Sequence, residues 1–197
     1  ARVDELVGRA EAVTEVRGLV RERRLVTLVG PGGVGKTRLA TEVARELDFA
    51  DGAHLVELAA LPGAAAPSAV DDSAKLSYPG PTLEPAQHRG GGGGGAPTTA
   101  DFADVVAERI LAVLDVREAA GTTVAAADRL LSAVRHKDLL LVLDNCEHLI
   151  EQAADLVARL LRDAEHVTVL ATSRAPLGLA GEAAWEVPPL ALPADER

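Results

Sequence analysis

The sequence contains no methionine, and aromatic residues make up only 2% of its 197 positions. A buried core must therefore come from Leu, Val and Ala, a profile that suits helices packed on an aliphatic parallel sheet. Without a methionine the chain does not open on a native start codon, and it is read as an excised piece of a longer protein. Cys146 is the single cysteine, which rules out an internal disulfide and leads to the expectation of a reducing, cytoplasmic setting. No run approaches the roughly 18 consecutive apolar residues of a membrane span, and Ala1-Arg2-Val3 does not open a signal peptide. Cations are the minority charge. With 20 Lys and Arg against 30 Asp and Glu, the formal net charge is -10, which argues against gripping nucleic acid through a broad basic face. What the chain does have is 48% hydrophobic residues, enough for a core, in a length that fits one domain, or one domain plus a floppy segment.

Hydrophobic spacing supplies the order of elements. Ala10, Val13, Val16 and Val20 recur at helical spacing. Leu25 to Val29 is a short apolar run rich in β-branched residues, read as a buried strand that ends at Gly30. A glycine-rich turn follows to Thr37, and Lys36 to Leu47 places Leu39, Ala40, Val43, Ala44 and Leu47 on one helical face. His54 to Leu58 reads as a second strand. From Pro62 to Thr99 periodicity is lost in Pro, Ala, Ser and Gly, with a run from Gly90 to Gly95. That segment, 62–99, is expected to be a disordered or irregular insertion, either variable and without function or a regulatory or partner-binding loop. Val105, Val106, Ile110, Leu111 and Leu114 mark a helix, and Val124 to Val134 another. Leu139 to Leu143 is wholly apolar and ends in Asp144, the pattern of a central parallel strand. Leu149 to Leu161 is amphipathic, Val167 to Ala171 is a further strand, and Trp185-Glu186-Val187 is a short last one. Alternating strands and helices imply right-handed crossovers and a parallel sheet covered on both faces.

Three places carry chemistry. Gly30-Pro31-Gly32-Gly33-Val34-Gly35-Lys36-Thr37 fits G-x-x-x-x-G-K-[ST]. Its glycines let backbone N–H groups turn inward around phosphate oxygens, and the helix after it offers an N-terminus to an anion. Lys36 would reach the β- and γ-phosphates, and Thr37 would offer its hydroxyl to magnesium. Asp144, at the carboxyl end of a buried strand, sits at the ligand edge of such a sheet and can orient magnesium through water. Alone, an apolar run ending in Asp is common; its place after a phosphate loop gives it meaning. Arg174 lies just past the strand from Val167 to Ala171, where a guanidinium could read a γ-phosphate or could be an ordinary surface arginine. Hydrolysis is harder to assign. Asn145 follows Asp144 where many ATPases carry a glutamate base, and an amide can orient a water but cannot take its proton. Glu147 is the alternative water-activating group, and equally an acid placed favourably at a helix start. Cys146 and His148 lack metal-ligand spacing, and Cys146 is expected to be a buried, inert thiol.

Together Leu6-Val7-Gly8-Arg9, the segment from Thr27 through Lys36, Thr37 and Arg38 to Ala40, Leu143 to Leu149, and Ala171 to Leu177 resemble the NB-ARC-type domain of STAND signalling NTPases. The likeness is greatest to large bacterial transcriptional regulators of the SARP and LuxR-related type. It spans residues 3 to 60 and 101 to 193 and does not cover the insertion. The resemblance implies that Val7, Gly8 and Arg9 lie against adenine and ribose. It implies that Pro31, Gly32, Gly33, Val34, Gly35, Lys36, Thr37 and Arg38 hold ATP or ADP. Thr37 and Asp144 would serve the Mg2+ ion, and Arg174 would detect the γ-phosphate. Lys36, Asp144, Glu147 and Arg174 are the candidate catalytic set. ADP would hold a closed state and ATP would permit opening and self-association, with DNA contacted only through other domains of the parent regulator and no membrane involved. The chain departs from the pattern by stopping near Pro193, before the family's helical and winged-helix subdomains, and by carrying Ala10 where glutamate is common.

The expectation is one α/β P-loop NTPase domain over residues 1–197, three-layer α/β/α, with a parallel sheet of about five strands. Its expected function is ATP/ADP binding with slow magnesium-dependent hydrolysis, as a switch. The alternatives are an AAA+-like remodelling ATPase, a small-molecule kinase, and a nucleotide-binding scaffold that does not hydrolyse.

Overall fold

A computed structural model describes residues 9–58, 99–116 and 124–189. The expected elements form, with small shifts at their ends. They are α1 (Ala10–Glu22), β1 (Leu25–Val29), α2 (Lys36–Arg45), β2 (Ala53–Glu57), α3 (Thr99–Val113), α4 (Ala126–Val134), β3 (Leu139–Asp144), a 3-10 turn (Cys146–His148), α5 (Ile150–Asp163), β4 (Val167–Ser173) and β5 (Ala183–Glu186). The expected insertion lies outside the described residues except at its end, where Thr99 opens α3.

The strands make one five-stranded sheet in the order β2-β3-β4-β1-β5, with every neighbouring pair parallel. The three central strands are buried almost throughout, which explains why they read as unbroken apolar runs. Side-chain alternation divides the core in two. Leu139, Leu141 and Leu143 of β3 and Val167, Val169 and Ala171 of β4 pack under α3, α4 and α5. Leu140 and Val142 of β3 and Leu170 of β4 face the other way, against Val13, Val16 and Val20 of α1 and Leu39, Ala40 and Val43 of α2. Each fully buried leucine or valine in these layers contributes about 1.5–3 kcal/mol by leaving water. The chain thus builds the three-layer α/β/α P-loop architecture expected of it.

Polar side chains close the seams. Arg24, just before β1, donates through Nη1 to the Leu161 carbonyl at 2.8 Å and through Nη2 to Val167 O at 3.1 Å, and it also bonds Ala164 O. It therefore satisfies carbonyls at the C-terminus of α5, which have no partner within the helix. At the far end of the sheet, Asp51 accepts from Lys137 Nζ and from the Asp138 N–H, both at 2.9 Å. The Lys137 ammonium and that backbone bond hold the Asp51 carboxyl below its usual range.

Candidate functional site

The glycine loop runs from the end of β1 into α2. Gly33 and Gly35 have φ of +78° and +93°, which side chains rarely adopt, and a Cβ on Gly35 would come within 3.2 Å of Arg9 Nη1. Gly35 is the residue before the first turn of α2, and no side chain caps that end. The N–H groups opening α2 therefore point toward the mouth of the loop, where the helix dipole favours an anion. Lys36 is buried there, its Nζ donating to Gly30 O at 2.8 Å and Pro31 O at 3.1 Å.

Alternation also sets the direction of the acidic residue. Asp144 shares the sheet face of Leu140 and Val142, the face that α2 covers, so the strand delivers its carboxylate to the start of that helix. Thr37 Oγ1 donates to Asp144 Oδ1 at 2.7 Å. A second hydroxyl, Thr172 Oγ1 on β4, donates to the same oxygen at 2.6 Å. Asn145 Nδ2 donates to Oδ2 at 3.3 Å. Asn145 itself stands in the left-handed region at φ +61°, and its N–H donates to Thr172 Oγ1 at 3.0 Å.

Arg174 emerges from the end of β4 with its guanidinium over the loop, so that a methyl on Gly32 would lie 3.6 Å from Arg174 Nη2. Its Nε is 3.5 Å from Glu147 Oε1, with the arginine largely exposed and the glutamate mostly buried. Glu147 Oε2 is buried and has no hydrogen-bond partner among the described residues. Cys146 is buried; its thiol contacts Leu143 O at 3.5 Å, and burial first, then the charges of Glu147 and Asp144, push its pKa up to about 12. It is the buried thiol expected from the sequence.

The structure thus brings together Gly30 to Thr37, Asp144, Glu147 and Arg174. Arg38 lies on the exposed side of α2. Val7 and Gly8 lie outside the described residues. Arg9 is buried, with Nη2 donating to Val34 O at 2.6 Å and Pro188 O at 3.1 Å. Its guanidinium is therefore placed against the phosphate loop itself. Arg9 Nη1 is buried without a hydrogen-bond partner among the described residues. Two roles escaped the sequence reading. Thr172 has no function of its own in the motif resemblance, and the sequence suggests Asn145 as a water-orienting amide, not as a left-handed turn residue. The signal lies in the register, which sets a threonine one step past the pair Leu143 and Ala171, beside Asp144 on the neighbouring parallel strand.

A family model for the AAA ATPase domain matches residues 5–171. The chain belongs to that family. Among similar proteins, one from Mycobacterium tuberculosis (strain H37Rv) with the provisional name HTH-type transcriptional regulator is 33% identical over 177 residues, 90% of this chain and 15% of that protein. An uncharacterized protein of the same strain is 32% identical over 189 residues, 96% of this chain and 38% of that protein. The chain thus spans 15% to 38% of the length of these relatives. A STAND protein with a tetratricopeptide repeat sensor from Pyrococcus horikoshii superposes with a TM-score of 0.53 at 15% identity, covering 95% of this chain and 24% of that one. That likeness is one of fold.

An AAA ATPase domain implies a nucleotide and a divalent cation, and the described residues fit both. Thr37 and Asp144 present hard oxygen donors side by side at the mouth of the loop. No cluster of three or more His, Cys, Asp or Glu suited to a metal occurs among the described residues. A single carboxylate with a hydroxyl suits magnesium, which takes few protein ligands and completes its shell with phosphate oxygens and water. No helix among the described residues is long and apolar enough to cross a membrane.

Proposed function

We propose that this AAA ATPase domain is the nucleotide-operated switch of a larger transcriptional regulator, binding ATP or ADP with magnesium and hydrolysing ATP slowly. The observation that carries the reading is the meeting of Thr37 Oγ1 and Asp144 Oδ1 at 2.7 Å beside the buried Lys36, at the N-terminus of α2. In this reading the loop from Pro31 to Thr37 cradles the phosphates, with backbone N–H groups donated from Gly32 onward, and Arg38 follows on α2. Lys36 holds the β- and γ-phosphates. Thr37 and Asp144 hold the Mg2+ ion, which when bound neutralises phosphate charge. Val7, Gly8 and Arg9 form the nucleoside side of the site, with Arg9 Nη1 a donor that has no partner among the described residues. Arg174 senses the γ-phosphate, and Glu147 both pairs with Arg174 and is the carboxylate nearest to a water-activating role.

Slow turnover is motivated by Asn145. The residue directly after Asp144 is an amide whose Nδ2 is engaged with Asp144 Oδ2, so no carboxylate base stands there. The NB-ARC and SARP/LuxR-related character, the single domain over residues 1–197 and a cytoplasmic setting are part of the same proposal. They rest on the motif resemblance, and the regulator role rests also on the provisional name of the mycobacterial relative. DNA contact would belong to other parts of the parent protein, and ATP-dependent self-association to the open state.

Titration with fluorescent ADP and ATP, with and without magnesium, tests the proposal. Binding that is lost in Lys36→Ala, with turnover well below one per second, is the expected result. Absence of binding by the unmutated chain, or turnover of several per second, overturns it. A second reading, a ring-forming remodelling ATPase, is favoured by the family match alone. It requires a ring of several copies with ATP, which mass measurement in solution would reveal.

A further inference from the structure

We infer that Thr172 is a positioning residue for the magnesium site, fixing the Asp144 carboxylate and the turn that follows it. This rests on the nucleotide-and-magnesium reading above. Thr172 is fully buried near the end of β4, a strand otherwise filled there by Leu170 and Ala171. Valine would fill that place with better β-propensity and no hydroxyl to satisfy. A buried hydroxyl is costly unless paired, and both sides of this one are used. Its proton goes to Asp144 Oδ1 at 2.6 Å, and its oxygen accepts the Asn145 N–H at 3.0 Å.

The register makes this geometry available. Leu143 pairs with Ala171 in the parallel ladder, so Asp144 and Thr172 follow side by side on the face that α2 covers. Thr37 holds the same carboxylate oxygen from α2, while Thr172 holds it from the sheet. The two bonds of Thr172 have separate effects. One sets the rotamer of Asp144, and the other stabilises a non-glycine residue at φ +61°, a conformation that disfavours side chains. Loss of the hydroxyl would release both, leaving the magnesium ligand without its hold from the sheet while the phosphate loop, built from β1 and α2, keeps its shape. Groups that orient a metal ligand in this way are worth about 10- to 100-fold in metal affinity.

The test is a magnesium titration of fluorescent ATP binding to the full chain and to Thr172→Val and Thr172→Ser. In Thr172→Val the magnesium concentration for half-maximal effect is expected to rise about 10-fold or more. Its nucleotide affinity in EDTA is expected to stay within about twofold of the parent. Thr172→Ser, which restores the hydroxyl, is expected to titrate like the parent chain. Should Thr172→Val lose its cooperative thermal transition, Thr172→Ala removes the same hydroxyl with less bulk and is judged by the same shift. A magnesium titration of the valine or alanine variant that superposes on the parent overturns the assignment while leaving the nucleotide reading intact. Equal losses with and without magnesium also overturn it, because they mark a merely structural residue. A parent chain that binds no nucleotide in either condition overturns the nucleotide reading and this assignment with it.

Discussion

Thr37 and Asp144 stand 107 positions apart in the chain, yet the hydroxyl of one donates to the carboxylate of the other at 2.7 Å. Nothing local brings them together. Thr37 is placed by the start of α2 and Asp144 by the end of β3, and the sheet order sets both at one edge. Asp144→Asn keeps the shape and removes the charge. It is expected to weaken magnesium-dependent nucleotide binding by about 10- to 100-fold while leaving magnesium-free binding little changed. Calorimetric titration in magnesium and in EDTA reads the two directly, and equal affinities for parent and variant in magnesium would contradict the placement.

Arg174 reaches over Gly32 while its Nε lies 3.5 Å from Glu147. If its guanidinium reads the third phosphate, Arg174→Ala lowers ATP affinity about tenfold, equivalent to roughly 1.4 kcal/mol, and changes ADP affinity little. Competition binding against a fluorescent nucleotide measures both. An equal loss for ATP and ADP would show a guanidinium serving the loop in general.

Cys146 offers a pH test with a definite sign. Its pKa is raised from 9.0 to about 12 in the folded chain, chiefly by burial. The stability this gives is fully present below 9.0, where the thiol is protonated folded or unfolded. It is lost as pH rises from 9.0 toward about 12, because only the unfolded thiol then releases its proton. The slope approaches about 1.4 kcal/mol per pH unit within that window. Urea midpoints across the alkaline range should fall less steeply for Cys146→Ala than for the parent. The same burial makes alkylation of the native thiol slow, and rapid labelling in native buffer would argue against it.

Arg24 makes a stability prediction independent of any ligand. Its fork holds the Leu161, Ala164 and Val167 carbonyls between the end of α5 and the start of β4. Arg24→Ala leaves those acceptors without their charged donor and is expected to cost about 2–3 kcal/mol. Arg24→Lys, lacking the planar fork, recovers only part of that loss. Urea denaturation reads the difference, and nucleotide binding by the folded variants should be unaltered.

The central strands were legible because burial on both faces forces unbroken apolar runs, and the phosphate loop because its backbone demands glycine at spaced positions. Strand ends were less legible. The run from Val167 to Ala171 stops two residues short of β4, because Thr172 and Ser173 are polar in sequence yet pair with Leu28 and Val29 of β1. The last strand starts earlier than Trp185-Glu186-Val187 suggests, since Ala183 and Ala184 pair with Val26 and Thr27. Alanine and terminal polar residues carry little periodic signal, so ladder bonds alone reveal them. Within the site, Lys36, Thr37, Asp144 and Arg174 followed from motif chemistry. Thr172 did not, because its role depends on which strand lies beside β3, and a single sequence does not state strand order. Arg9 is expected at the nucleoside, while its bond to Val34 O joins positions 25 apart that no local pattern links.

The hold of Arg9 on Val34 and Pro188 has a mechanical consequence. Arg9 precedes α1 and Pro188 follows β5, so one guanidinium joins both flanks of the described fold to the phosphate loop. Displacing either flank would therefore disturb the guanidinium that bonds Val34 O in the loop. Two segments 179 positions apart thus share a single anchor on the glycine loop.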